Sequence, residues 1–188
     1  MDTKDWHPEF APCFTPREML DKGVFMDCHY NVAIKGMPGW WSSHDNVFPR
    51  SKEPDVGKNH YGVKSRQSLT VWQDNGWTTK ASPLGWWQWY AHYSEGRRLP
   101  KEDDWQIKRW KSFVARHMGQ INANCDLKDK ECRPVQRQAL LQWAWDSEKT
   151  FNDSQLSKNR SKLGVKIDKD LKVGKEDYIG PSGILARW

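Results

Sequence analysis

Apolar residues recur at helical spacing in several runs of this chain, and each run is bracketed by start and stop signals. Thr15-Pro16-Arg17-Glu18 supplies a capping threonine, a proline at the first helical position and a glutamate three residues after the cap. A short helix is predicted there, ended by Gly23. Ser65 is predicted to cap a helix through Asn75, with Leu69 and Trp72 at helical spacing and Gly76 at its end. Ser82-Pro83 opens the next helix and Gly96 closes it. Pro100 opens another, along which Ile107, Trp110, Val114, Met118 and Ile121 keep the 3.6-residue period. Lys108, Arg109, Lys111 and Arg116 fall on its other faces, and Asp103 and Asp104 occupy its first turn, where carboxylates suit the helix dipole. Arg133-Pro134 opens the last long run, VQRQALLQWAWDSEKT, with Leu140, Trp143 and Ala144 as its apolar stripe behind a polar start at Gln136, Arg137 and Gln138.

Between these runs the pattern is less regular. Residues 1–14 contain Pro8 and Pro12 and read as irregular, and Val24 to Ile34 as extended or looped. Residues 35–62 are rich in Gly, Pro, Ser and Asn and carry Trp40-Trp41. A connection that long inside a compact domain is often functional, a surface insertion being the alternative. After Phe151 the composition turns to Lys, Ser and Asp, and the alternation in Val165-Lys-Ile167 and Leu171-Lys-Val173 fits a small hairpin or a tail. The expected fold is mainly α: one Trp-rich helical domain over residues 1–150, with irregular N-terminal loops, and a Lys-rich C-terminal appendage over 151–188.

A length of 188 residues agrees with one domain. The 37% apolar content and mean hydropathy of −0.94 would point to disorder, were it not for 13 Trp, each of which removes a large area from water. The charge of +6 and pI of about 9.1 favour nucleic acid or an anionic surface as partner, against a merely soluble exterior. No apolar run approaches the roughly 18 residues of a membrane span. The start MDTKDWHPEF lacks a cationic segment followed by an apolar one, so a cytoplasmic location is expected. Cys125 and Cys132 flank the polar stretch DLKDKE and could meet across a hairpin, but with four cysteines and no CxxC pair the expectation is reduced thiols and no structural zinc.

The chemistry concentrates in residues 82–118. Trp86, Trp87, Trp89, Tyr90 and Tyr93 precede Arg97 and Arg98, and Lys64, Arg66, Arg109, Arg116, Arg133 and Arg137 complete a basic set. Arginine forks suit phosphate and arginine planes stack on rings. Aromatic faces beside cations hold bases and backbone. The alternative is that Trp and Arg pair with one another inside the molecule. Most of the five rings are expected to fill a core, with one or two left to line a slot for an extruded base. Hydrolysis of a glycosidic bond needs a carboxylate to stabilise the sugar cation or position water. Asp146, among Trp143 and Trp145, and Asp27, beside His29, are the candidates, and pairing of Asp146 with an arginine is the competing fate. His92 and His117 fit core hydrogen bonds, and the other histidines lack metal-ligand spacing. No GxxxxGK[ST], GxGxxG after a strand, HExxH or deaminase pattern occurs, so no ATP, NAD, metal or other cofactor is expected.

The strings GVKSRQSLTVWQDNGW (62–77), PLGWWQWYAHYSEGRR (83–98), DDWQIKRWKSF (103–113) and CRPVQRQALLQWAWDS (132–147), with FTPREMLDKGVF (14–25), resemble a family of small Trp- and Arg-rich proteins. Its usual form runs DPRGWFQWYCRYYLGRR, RQIKRW and CRPRQRQALLHWAYDS. The matches span most of residues 14–149. The chain departs from the pattern at Met26-Asp27-Cys28-His29, where the family is Gly-rich, and at Ser82 and Leu84, where it has Asp and Arg. The resemblance implies a link to DNA glycosylases that remove modified bases in antiviral defence. The expected function is therefore a metal-independent, base-flipping DNA hydrolase of the glycosylase kind, with DNA preferred over RNA as partner. A non-enzymatic DNA- or RNA-binding protein and a structural or interaction protein are the alternatives.

Overall fold

A computed structural model describes residues 5–26, 54–64, 67–151 and 169–172. Among them five α-helices form, α1 (Pro16–Asp21), α2 (Leu69–Asp74), α3 (Trp86–Ser94), α4 (Pro100–Asn124) and α5 (Pro134–Leu141), with short 3-10 turns at Val56–Lys58 and Lys169–Leu171. The mainly α fold expected from the periodicity is what the chain adopts.

Helix α1 starts where its sequence dictates. The Thr15 hydroxyl accepts from Glu18 N at 3.0 Å, and the Glu18 carboxylate accepts from Thr15 N at 2.7 Å, a complete capping box. Gly23 ends the turn with φ +69°, and a Cβ there would sit 2.2 Å from Lys58 O. The close approach lets residues 54–62 fold over α1, with His60 N donating to Gly23 O at 2.8 Å. Helix α2 starts later than expected, because Ser68, whose hydroxyl accepts from Val71 N at 3.3 Å, is the cap. Ser65 lies outside the described residues. Helix α3 also starts late: Ser82 to Gly85 form a turn closed by Gly85 N to Ser82 O at 2.9 Å, and Gly85, at φ +92°, packs against Trp72.

Helix α4 is the spine. Ile107, Trp110, Val114, Met118 and Ile121 are all buried, as their period required. The Asp103 carboxylate accepts from Leu99 N at 2.7 Å and from the Trp89 indole at 2.8 Å, so this first-turn residue caps α4 and ties α3 to it. Beside it Glu102 is buried, taking the Thr79 hydroxyl and lying 3.9 Å from Arg97.

Two expectations need correction. The last helix ends at Leu141, well short of the apolar run, because Ala144 adopts a left-handed conformation and Trp145 N turns back to Leu140 O at 3.0 Å. Cys125 and Cys132 are joined as a disulfide, not reduced: the loop between them turns back on itself and brings the two Cα atoms to 5.8 Å. The irregular N-terminus also contributes more than its sequence promised. Phe10 is buried at the centre of the aromatic core, 5.1–5.5 Å from the rings of Trp89, Tyr90, Tyr93 and Trp110. At the other end, Lys172 forms an isolated antiparallel bridge with Thr79, and Lys80 N donates to Leu171 O at 3.3 Å. Val165, Ile167 and Val173 of the expected hairpin lie outside the described residues. No described helix is long and apolar enough to cross a membrane.

Candidate ring-lined cavity

A cavity of about 340 Å³ opens between α4 and α5, bounded at its ends by α2 and the first turn of α3. Two stripes with the same spacing make its walls. Arg109, Phe113, Arg116 and His117 stand at i, i+4, i+7 and i+8 along α4, and Val135, Ala139, Gln142 and Trp143 repeat that spacing along α5 and its exit. Trp86, Trp87, Trp72, Trp77, Phe25, Gly85 and Gln67 complete the lining.

The rings on the α4 side form a ladder. Trp86 and Trp143 lie 4.9 Å apart, Trp143 and Phe113 stack at 4.5 Å and 15°, and Phe113 and His117 stack at 4.0 Å and 18°. Arg109 lies over Trp105 at 4.3 Å and Trp143 at 5.4 Å, and donates to Trp77 O and Gln106 Oε1, each at 3.0 Å. Burial pulls its guanidinium pKa down to about 9, which leaves it charged at neutral pH. Arg116 is exposed, with its guanidinium 5.5 Å from the Phe113 ring. His117 Nδ1 lies 3.0 Å from Phe113 O. A carbonyl only accepts, so Nδ1 carries the proton and Nε2 of the neutral ring is an acceptor. Desolvation holds the His117 pKa down, at about 4, so neutrality persists through the physiological range. The Trp86 indole N–H is buried with no hydrogen-bond partner among the described residues.

The sequence-derived site residues divide sharply. Trp86 and Trp87 reach the cavity. Trp89, Tyr90 and Tyr93 do not: they are at most 2% exposed and packed around Phe10, so no ligand ring can stack on them. Burial raises the Tyr90 hydroxyl pKa, and that hydroxyl donates to Phe14 O at 2.7 Å. Among the described cations of that set, Arg109 and Arg116 line the cavity, and Lys64, Arg97, Arg98, Arg133 and Arg137 do not. Arg137 is fully buried and donates to Cys132 O, Leu127 O, Asp126 O and Ser147 Oγ at 2.9–3.0 Å, so it holds the disulfide loop and cannot meet a phosphate. Arg97 donates to Ala81 O and Ser82 Oγ, and Arg98 to Tyr93 O and Arg97 O while lying 4.0 Å from the Tyr93 ring. Both are spent on joining α3 to its surroundings. Arg133 is half-buried at the start of α5, with φ +57°, two residues before the cavity-lining Val135. Lys64 is exposed and outside the lining, and Arg66 lies outside the described residues. Asp146 is also outside the lining: its Oδ1 accepts from Glu148 N at 3.0 Å and caps a turn. Asp27 lies outside the described residues. No carboxylate lines the cavity among the described residues.

Phe113 and Trp77 were not singled out from the sequence, and Trp72, Trp143 and His117 were read as helix-face or hydrogen-bonding residues rather than as part of a site. The signal was present in the second stripe of α4, where an aromatic and a histidine alternate with two arginines at helical spacing. No family model, curated protein or solved structure matches the chain.

Proposed function

We propose that this protein binds nucleic acid and receives one extruded base in the cavity between α4 and α5. One observation carries this: a ring-lined slot whose cations, Arg109 and Arg116, lie against the same aromatic wall. Enzymes and binders that take a base out of the stack hold it between aromatic faces and read its edge by hydrogen bonds. The slot is walled by the ring ladder, in which Trp143 and Phe113 spend their faces on neighbouring rings, and it offers an acceptor at His117 Nε2. Its volume of about 340 Å³ lies at the small end of ligand sites, which run ~300–1,000 Å³, and suits one nucleobase. Arg116, exposed beside the slot, is available to the phosphate of the nucleotide whose base enters. DNA is the favoured partner and the cytoplasm the proposed location, where the disulfide would have to withstand a reducing pool.

The test is binding of a fluorescent oligonucleotide, with and without one unpaired base, at about 50 mM and 200 mM salt. A preference for the unpaired base, a steep loss with salt and at least ~10-fold weakening by Trp143→Ala and by Arg116→Ala are expected. Absence of salt-dependent binding at the lower concentration rejects the proposal.

A hydrolytic version, glycosylase-like, has one observation in its favour. Phe25 lines the cavity and Asp27 follows it by two residues. In this version a water adds to the sugar carbon as the base leaves with a proton, and Asp27 steadies the sugar cation. Release of a modified base that Asp27→Asn abolishes and Asp146→Asn spares is the expected result. Binding without release leaves a non-enzymatic base-binding protein.

A further inference from the structure

The charge of the cavity wall restricts which rings can enter, and this deepens the base-receiving proposal on which it rests. Among the described residues the lining carries two guanidiniums and no carboxylate. Its histidine is kept neutral at pH 7 by desolvation, which outweighs the opposing pull of the Nδ1 bond to Phe113 O. Two of the lining rings already have a cation from the protein itself beside them. Arg109 lies over Trp143 and Trp105, and Arg116 beside Phe113. Arg109 cannot swing away without giving up its bonds to Trp77 O and Gln106 Oε1. A positively charged ring would therefore meet two like charges at close range in a partly desolvated slot, with no counter-charge among the described lining residues to offset them. A neutral ring meets no such repulsion, and a ring bearing a phosphate gains one attraction at Arg116.

We infer that the cavity is selective for neutral or anionic flat rings linked to a phosphate, and that it excludes bases made cationic by ring alkylation. Aromatic-rich base pockets ordinarily favour electron-poor, positively charged rings through their π faces. Here the arginines reverse that preference, which moves the ligand class away from alkylation damage and toward neutral modified or unmodified nucleotides.

Four ligands separate the possibilities on the full-length protein at pH 7, each used to displace a fluorescent oligonucleotide and also followed directly by ligand-observed NMR. They are adenosine, adenosine 5′-monophosphate, N6-methyladenosine and 1-methyladenosine. The last two carry the same extra methyl group, but only 1-methyladenosine is cationic at this pH. Expected is at least ~10-fold weaker binding of 1-methyladenosine than of N6-methyladenosine. Expected too is about 10-fold tighter binding of the monophosphate than of adenosine, an advantage lost in Arg116→Ala. Arg116 is exposed, so this variant should fold, and unchanged circular dichroism checks it. Equal or tighter binding of 1-methyladenosine overturns the inference while leaving base binding intact. Oligonucleotide binding with no response to any of the four overturns both the inference and the slot as a base receptor. The expected order without any oligonucleotide binding keeps the charge rule and removes nucleic acid as the partner.

Discussion

Helix α4 presents two stripes of similar aromatic character to two different surroundings. The Ile107, Trp110, Val114, Met118 and Ile121 stripe is closed over by α3, α5 and Phe10, and the Trp110 indole finds Trp143 O at 2.8 Å. The Arg109, Phe113, Arg116 and His117 stripe faces a void, and its polar atoms are only partly spent on the protein. The same helix thus carries a structural seam and a candidate binding wall about a third of a turn apart. An apolar period locates the first kind of stripe. The second is marked by an aromatic residue among cations at the neighbouring i, i+4, i+7 positions.

The contrast is sharpest in stability. Trp110→Ala should cost ~3–5 kcal/mol, because a fully buried indole leaves a cavity that its neighbours cannot fill and strands Trp143 O. Phe113→Ala, half-buried at the edge of an existing void, should cost ~1–2 kcal/mol and act mainly on ligand binding. Urea unfolding of the two variants measures both. Equal losses would mean that the cavity stripe is part of the core.

The arginines can be broken apart in the same way. Arg137→Met removes four hydrogen bonds from buried or half-buried oxygens and should cost ~2–4 kcal/mol. Arg116→Met should stay within ~0.5 kcal/mol of the parent protein and show its effect only on nucleic acid or nucleotide binding. Thermal unfolding at fixed pH gives both numbers. A smaller step follows from the loop that Arg137 holds. Replacing Cys125 and Cys132 together by Ser releases a closure across a sequence separation of 7, worth about 2 kcal/mol in chain entropy. Because that loop joins α4 to α5, the two cavity walls, a ligand-affinity measurement on the same variant reports whether it also sets their spacing.

Much of the fold was legible because its signals are local. The capping box at Thr15, the proline at position 100 and the 3.6-residue run from Ile107 to Ile121 act within a turn or two and are decided by neighbours in sequence. What the sequence hid depends on distant partners. Phe10 looks like a loop residue until α3 and α4 surround it. Arg137 and Gln138 look like the polar start of a helix, yet both are fully buried. They satisfy the loops at 125–132 and 54–62, Gln138 by accepting from Tyr61 N at 2.9 Å and donating to Gly23 O at 3.1 Å. The site followed the same rule. Trp86 and Trp87 were identifiable as part of a ring cluster, but only packing decides that they meet the cavity while Trp89, Tyr90 and Tyr93 serve the core.

The smallest expected effect separates the two stripes by pH, since the core stripe holds no titratable group and the cavity stripe holds His117. Unfolding frees this imidazole to take a proton near its ordinary value of 6.5, whereas desolvation in the folded protein, helped by the nearby Arg116 charge, delays protonation to about 4. Between those limits the unfolded chain binds the additional proton, so stability falls as pH drops from 6.5 to 4 and is restored as pH rises again. His117 is only half-buried, which limits the contribution to on the order of 1 kcal/mol. His60, whose pKa is also lowered by burial, adds to the same slope, so the comparison must be made against His117→Gln. Chemical denaturation of parent and variant at pH 7 and pH 5 should show the parent losing more. If the two lose the same amount, His117 is solvated rather than walled in, and the cavity has lost its neutral acceptor.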